Sequence, residues 1–584
     1  MEEMVQERIN RLVVLAGKSF FGHSQSRVQL HQVMALLLLK HASDVWNTTH
    51  KMLRGKFGDH DAAIDQRMKR LRFPLQRENT IENLFDGRNH PGFVTRIDNV
   101  LSDLVGGSRG LPQDVFKGIA FSADASGTRN KKLKTLVADL ANPMLDLSDS
   151  ARLGEAVSCL LESFFSGPIG TGEHYTQPTV STLLARLLDP KEGMRICDPF
   201  LGTGSTLIEM SRHVRSLNGM HSGSVSLYGQ DISREAWITA KLNVLLHALD
   251  DVHIEVGDIF SNPLHLERGE LMRFDIVVGA PPMDAEGPTA EEARRDPYRR
   301  FLRGCPPKGR GDFGYILHAV ETLGAQGRAG LVVPQGVLFR GQREGVIRRS
   351  LVEENLIDAV IALPQHRVYS AGIPAAIIIF NKARKTKSVV FIDASKEQTM
   401  GGKTMGWTEE DVERIVSAYR KRESIAKFSY VSSQAQIRNN QFNLSVSRYI
   451  GSDREGGLSQ AIILNEDDIL KLESELSHVR SDIRIELRDL LGNDGDDILS
   501  KVNEPPPHYA AEGCRVVIIL NGPLGILMVD ATQFFTGRTD EPARAPHKVS
   551  YPKKSSRSRQ PFRKAAPSKS ARESSTVLKT DHLH

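Results

Sequence analysis

Between residues 171 and 405, short apolar runs alternate with longer amphipathic stretches, and this alternation restricts the chain to few folds. Met194–Cys197, Ser224–Tyr228, Val252–Val256, Phe274–Val278, Ala329–Val333, Ile357–Ala362, Ala375–Phe380 and Val389–Ile392 have strand length and are mostly apolar. Residues 204–216, 233–248, 312–325 and 343–354, which lie between them, carry helical spacing. Strand–helix repetition of this kind predicts an α/β fold with a parallel, doubly wound sheet and helices on both faces. Such a sheet binds ligands at the carboxyl ends of its strands.

The flanks read differently. In residues 1–165, Leu30, Val33, Met34, Leu37 and Leu38 fall on one helical face, and Leu133–Leu145 and Leu153–Phe165 repeat the pattern. The Gly-rich break Ser166-Gly167-Pro168-Ile169-Gly170 ends this helical domain. The sheet domain is expected over 166–405 and a helical region over 406–500. In the latter, Ile469, Leu472, Leu476, Val479, Ile483, Leu487 and Leu490 form an apolar stripe on a charged helix. That stripe fits a helix packed on its own domain as well as one docked on a partner. Residues 501–584 read as poorly structured and end in a basic, disordered tail.

The richest local signal is Asp198-Pro199-Phe200-Leu201-Gly202-Thr203-Gly204-Ser205, between the first strand and a helix. Glycines allow the tight turn and a close backbone approach to a ligand, and helix-start N–H groups face it. A GxG loop alone is weak, and a dinucleotide fingerprint would need a third glycine where Leu207 stands. Asp198 instead suits a ligand with an ammonium group. Asp231 ends the second strand, placed for a ribose diol. Asp258, followed by Ile259 and Phe260, ends the third, placed for an adenine amino group and ring. Any one of these acids also reads as a turn or cap residue. Together, in register with the Gly loop, they describe a site for S-adenosylmethionine.

With these motifs in order, the chain resembles the modification (M) subunit of type I restriction-modification systems, an N6-adenine DNA methyltransferase family. The resemblance covers about 25–490. It implies a Rossmann-like class I methyltransferase sheet flanked by a helical N-terminal domain and a helical C-terminal region. The family's Tyr/Phe-Thr-Pro motif, which helps hold the cofactor, is matched by Glu173-His174-Tyr175-Thr176-Gln177-Pro178, with Gln177 standing before the proline. Cofactor contacts are implied at Asp198, Pro199, Gly202, Thr203, Gly204, Asp231, Asp258 and Ile259. Family-like stretches follow at Asp296-Pro297-Tyr298, Gly311-Asp312-Phe313, Val333–Phe339, Gly372-Ile373-Pro374 and Asn440–Leu444.

One segment departs from the family. Where it carries Asn-Pro-Pro-aromatic, this chain reads Ala280-Pro281-Pro282-Met283. The Asn side chain and a proline carbonyl would accept the two N6 protons of adenine, and the aromatic ring would stack on the flipped base. Ala280 has no acceptor and Met283 no ring face, so two readings stand: an active adenine-N6 methyltransferase, and a subunit that binds cofactor, DNA or partners without efficient methylation. By resemblance the partners are double-stranded DNA, a specificity subunit that reads the target sequence, and a restriction subunit.

Composition excludes several classes. Cys159, Cys197, Cys305 and Cys514 form no CxxC pair, so neither a zinc site nor a disulfide framework is expected, and a reducing cytoplasm fits. The polar start MEEMVQERIN does not read as a signal peptide, and Val33–Leu39 is too short to span a bilayer. Residues 544–584 hold eleven Lys/Arg against two Asp/Glu. If that excess meets phosphates, deleting 544–584 will weaken non-specific DNA binding and flatten its dependence on salt. Fluorescence anisotropy across a salt series checks this, and an identical slope with and without the tail would leave it a solubilising segment.

Overall fold

The computed structural model describes residues 2–21, 26–107, 115–116, 118–124, 126–165, 175–218, 225–283, 285–364, 373–395 and 407–450, and the backbone of 515–519 and 526–530. The chain divides into two compact units, Met1–Ala461 and Ile462–His584.

The first unit is built on a nine-stranded sheet. Its strands are β1 (Arg195–Asp198), β2 (Ser226–Asp231), β3 (Val252–Val256), β4 (Phe274–Gly279), β5 (Leu323–Pro334), β6 (Ile357–Ala362), β7 (Ala375–Asn381), β8 (Val389–Asp393) and β9 (Ser429–Ser432). Their spatial order is β3-β2-β1-β4-β5-β7-β6-β8-β9. Strand β1 pairs in parallel with both β2 and β4, so the order reverses on either side of it. That reversal opens a crevice above the end of β1, where open α/β sheets bind ligands. β6 is buried along its whole length, and β7 at all but its last residue, because both faces of the sheet are covered.

The expected strands and helices are present, with three corrections. The sheet is mostly rather than wholly parallel, because β7 runs antiparallel to β5 and β6, and β9 antiparallel to β8. A fully buried strand shows the same apolar run in either direction, so the pattern carries no orientation. The helix expected over 312–325 ends at Glu321 and β5 already begins at Leu323. The sheet also continues past residue 405. The helix Glu409–Lys421, opened by a capping box of Thr408 and Asp411, returns the chain to place β9 on the sheet edge.

Every described regular element of residues 1–165 is a helix, joined by turns and loops. The helices α1 (Glu2–Phe21), α2 (Arg27–Phe57) and α3 (Ser150–Phe165) share one hydrophobic core with a face of the sheet. Helix α2 is apolar nearly all round from Leu30 to Leu39 because it is wrapped on every side. It meets α6 (Arg234–Leu246, counted after α4, Pro178–Leu188, and α5, Ser205–Asn218) through His31 Nε2 and Thr239 Oγ1 at 2.8 Å. The other sheet face packs a separate core that includes α7 (Asp312–Glu321) and α8 (Gln342–Glu353).

In the second unit, Arg515–Ile519 and Ile526–Asp530 form an antiparallel pair. The reading of 501–584 as poorly structured missed this pair, although Asn521-Gly522 between two β-branched and apolar runs is a hairpin signal. The apolar stripe of Ile469–Leu490 and the tail 544–584 lie outside the described residues. No helix among the described residues is long and apolar enough to cross a membrane.

The joint between bundle and sheet leaves no slack at Gly154. A Cβ there would lie 2.7 Å from Cδ2 of His247. That ring is held by the Asn243 carbonyl at 2.8 Å and by Ser158 Oγ at 3.2 Å, so it has nowhere to go. Gly154→Val should cost about 1–3 kcal/mol of stability by overpacking. Urea denaturation reads the loss, and unchanged stability would show that the helix and the sheet domain do not meet this closely.

Candidate cofactor and target-base site

The crevice is floored by the ends of β1, β2 and β3. Asp198 closes β1 and is 2% exposed. Its Oδ1 accepts the Phe200 N–H at 3.0 Å, which bends the chain into the Gly loop. Gly202 (φ +54) and Gly204 (φ +73) take left-handed conformations that other residues resist. A Cβ on Gly204 would also sit 3.3 Å from Ala240 of α6, so glycine lets the loop lie close to that helix. Asn243, also on α6, donates Nδ2–H to the Thr203 carbonyl at 2.9 Å.

Asp231 ties the first two strand ends together. Its Oδ2 accepts the Gly202 N–H at 2.8 Å and its Oδ1 the Ser233 N–H at 2.8 Å. The turn-residue role therefore applies to it. Each carboxylate oxygen keeps a second lone pair, so a ligand hydroxyl is still accommodated. Gln230 extends the bracing to the third strand end: its Nε2 donates to the carbonyls of Gly257 (2.9 Å) and Asn262 (3.0 Å), and its Oε1 accepts the Leu264 N–H at 3.0 Å. Asp258 is partly exposed, with Oδ1 on the Phe260 N–H at 3.0 Å and Oδ2 on Ser261 Oγ at 2.9 Å. Ile259 is buried beside it.

An aromatic wall stands over the first and third loops. Tyr315 of α7 meets Phe200 edge-on (centroids 5.4 Å apart) and Phe260 at a tilt (4.8 Å). Burial pushes the Tyr315 hydroxyl up to about 12, and Asp258 and Asp312 act in the same direction. Phe260 was readable beside Asp258 in the sequence, but Tyr315 and Gln230 were assigned no role there. A polar residue one place before a strand-end acid, and a tyrosine in the first turn of the helix opened by Gly311-Asp312, were the available signals.

The segment after β4 starts against Asp198. Gly279 has φ +151, and a Cβ there would fall 2.4 Å from Asp198 Oδ1 and 3.1 Å from the Phe200 ring. Ala280 is partly buried, Pro281 buried, Pro282 exposed and Met283 partly buried. The adjoining strand end β5 leads into Gln335–Leu338, to which Leu444 is tied by its N–H on the Leu338 carbonyl at 2.8 Å. Phe339 follows, 43% exposed.

Residues 148–456, more than half of the chain, match the N-6 DNA methylase family. The chain belongs to that family. It is similar to the methylase subunit of the type I restriction enzyme MjaVII of Methanocaldococcus jannaschii, 34% identical over 319 residues, 52% of this chain and 53% of that one. The matched stretch thus spans about half the length of this relative. The MpnII methylase subunit of Mycoplasma pneumoniae is 25% identical over 460 residues, 74% of this chain and 83% of that one. Among solved structures, the methyltransferase subunit of a type I restriction-modification system from Streptococcus thermophilus has a TM-score of 0.65 at 25% identity, and the match covers 76% of this chain and 100% of that one.

In this member of the family the sheet is a class I methyltransferase sheet, and its expected site residues divide into three groups. Asp198, Pro199, Gly202, Thr203, Gly204, Asp231, Asp258 and Ile259 lie on three adjacent strand ends, with Ala280–Met283 on the fourth. Tyr175–Pro178 come from the segment that leads into α4. The Tyr175 ring is buried and stacked on Phe165 (5.3 Å, 9°), and its hydroxyl, pushed up by burial, faces Glu162 and Cys159. Gln177 and Pro178 open α4 as N-cap and first helical residue. Ser181 of that helix meets Thr206 of α5 at 3.3 Å. Glu173 and His174 lie outside the described residues.

The donor set fits a cationic nucleoside cofactor. Segments 198–206, 229–233 and 257–262 contain three acids and no Lys or Arg. Burial pushes the Asp198 carboxyl from its usual 3.8 up to about 8; the Phe200 N–H pulls it back and the Asp231 charge raises it again. The folded-state value lies above the unfolded one, so this group's contribution to stability is present below about pH 4 and lost as pH rises through about 8. A ligand ammonium beside Asp198 would stabilise the ionised form and reverse that trend. S-adenosylmethionine binding at pH 6 should therefore release about one proton, with affinity rising toward pH 8 and then levelling. Calorimetry in buffers of different ionisation enthalpy measures the proton count, and a count of zero would remove Asp198 from the ligand's charge partners.

Proposed function

We propose that this chain binds S-adenosylmethionine over the ends of β1–β3 and transfers its methyl group to N6 of an adenine flipped out of double-stranded DNA. It would act as the methylase subunit of a type I restriction-modification-like assembly, with a specificity subunit to read the sequence and a restriction subunit as a further partner. The observation that carries this reading is the braced set of Asp198, Asp231 and Asp258 around the Gly202–Gly204 loop, at the point where the strand order reverses. The named relatives, all methylase subunits of type I enzymes, support the partner classes.

Asp231 would hold the ribose hydroxyls by charge-assisted hydrogen bonds, and Asp258 the adenine amino group between Ile259 and the Phe260 ring. Asp198 would face the ammonium. When bound, the cofactor supplies an electrophilic methyl group carried on a sulfonium. The target adenine must enter beside Ala280–Met283, the strand end next to β1. There the Pro281 carbonyl would accept one N6 proton and turn the nitrogen lone pair toward the methyl group. As N6 forms its bond to carbon, the carbon–sulfur bond breaks, and N6 loses a proton to water.

The same loop favours a second reading, a subunit that binds cofactor, DNA and partners with little methylation. Ala280 offers the second N6 proton no side-chain acceptor. Met283 gives the base apolar contact but no stacking face, which elsewhere is worth roughly 1–3 kcal/mol per base. Methyl transfer from labelled S-adenosylmethionine to DNA, by the chain with its specificity subunit, separates the two readings. The Ala280→Asn/Met283→Phe version should exceed the unaltered chain by on the order of 10² or more, at equal cofactor affinity. Equal turnover would show that another side chain supplies the acceptor. Methyl transfer by neither protein would refute the proposed activity.

A further inference from the structure

Arg300 is 2% exposed and among the largest fully buried side chains of the protein. All five of its N–H groups are engaged. Nε and Nη2 donate to Asp296 Oδ1 at 3.0 and 2.6 Å. Nη1 donates to the Ile259 carbonyl at 2.6 Å and reaches His318 Nδ1 at 3.2 Å. Nη2 also donates to the Phe260 carbonyl at 2.8 Å. His318 is held neutral, down at about 3, by burial and by the Arg300 charge, so its Nδ1 is free to accept.

A buried ion pair is a costly way to fill a core, and apolar side chains of equal volume often serve stability as well or better. What this pair does that an apolar group could not is grip two successive peptide carbonyls. Those carbonyls belong to Ile259 and Phe260, the residues directly after Asp258. Fixing their peptide planes fixes where the Asp258 carboxylate and the Phe260 ring stand. The guanidinium also joins three walls of the site: the third strand-end loop, α7 through His318, and the segment 296–300 that follows the Ala280–Met283 loop.

We infer that Arg300, anchored by Asp296, is a positioning residue that aligns the 258–260 loop to recognise the adenine of the cofactor; this rests on the proposed cofactor site. Lysine keeps the charge at 300 but cannot hold Asp296 and two carbonyls at once. The test is calorimetric binding of S-adenosylhomocysteine and S-inosylhomocysteine, in which oxygen replaces the N6 amino group, to the full chain. The native protein should prefer the adenosyl ligand. Arg300→Lys should weaken adenosyl binding at least about tenfold while affecting the inosyl ligand much less, so the preference collapses. Asp296→Asn should act in the same direction but less strongly, and it decides the matter if Arg300→Lys does not fold. A general loosening of structure would weaken both ligands equally, and that outcome would overturn the inference. Asp258→Ala separates the underlying reading: if it leaves adenosyl binding unchanged, the cofactor assignment fails and this inference with it. If Asp258→Ala abolishes the preference while both clamp variants keep it, the inference alone fails.

Discussion

The hydrogen bond from the Gly202 N–H to Asp231 Oδ2, 2.8 Å long, joins the Gly loop to the end of the neighbouring strand, and the rest of the site is braced through it. The Leu201 N–H reaches the Gln230 carbonyl at 3.1 Å, and the Gly257 N–H reaches the Asp231 carbonyl at 2.9 Å. Bonds therefore run without a break from the first strand end through the second to the third. The arrangement needs glycine at 202, where φ is +54, and a short acid at 231. A ligand laid across three strand ends meets groups that are already in place, so little ordering remains for binding to cost. The structural and ligand-facing uses of Asp231 are compatible because a carboxylate accepts more bonds than the two it makes here.

The site separates into halves of different character. The half proposed to hold the cofactor is acidic, partly buried and heavily braced. The segment proposed to meet the target base begins where Gly279 presses against Asp198, and it continues through Ala280 and Met283. The anchor of the second half thus belongs to the first, while the side chains that differ from the family's motif lie beyond it. Pro281 and Pro282 limit the backbone on their own through their fixed φ. On the proposed reading, the missing acceptor at 280 and ring at 283 bear on chemistry and base capture, and the bonds that brace the strand ends do not involve them.

Much of this was legible in the sequence. The strand ends at Asp198, Asp231 and Asp258 were readable because each is a short-range pattern: an apolar run, an acid and a turn. The helical N-terminal domain was readable from period alone. The antiparallel direction of β7 was not, because Ala375–Phe380 is apolar on both faces and looks the same run either way. β9 was missed because Ser429–Ser432 is short and polar for a strand, and only its place at the sheet edge makes it one. Tyr175 was singled out from its motif, which does not show that the Phe165 ring it stacks on comes from α3.

By itself the sequence determined the class of fold, the order of its units and the acids and glycines at the strand ends. These depend on interactions within a few residues, where propensity and periodicity act directly. The tertiary structure alone decided which of those pieces meet. Gly202 finds Asp231 because β1 lies beside β2, and Tyr315 comes to rest between Phe200 and Phe260 because α7 packs over two loops. Arg300 reaches the carbonyl of Ile259 from 41 positions away. Partners this distant are chosen by strand order and helix packing, which leave no periodic trace in the residues they bring together.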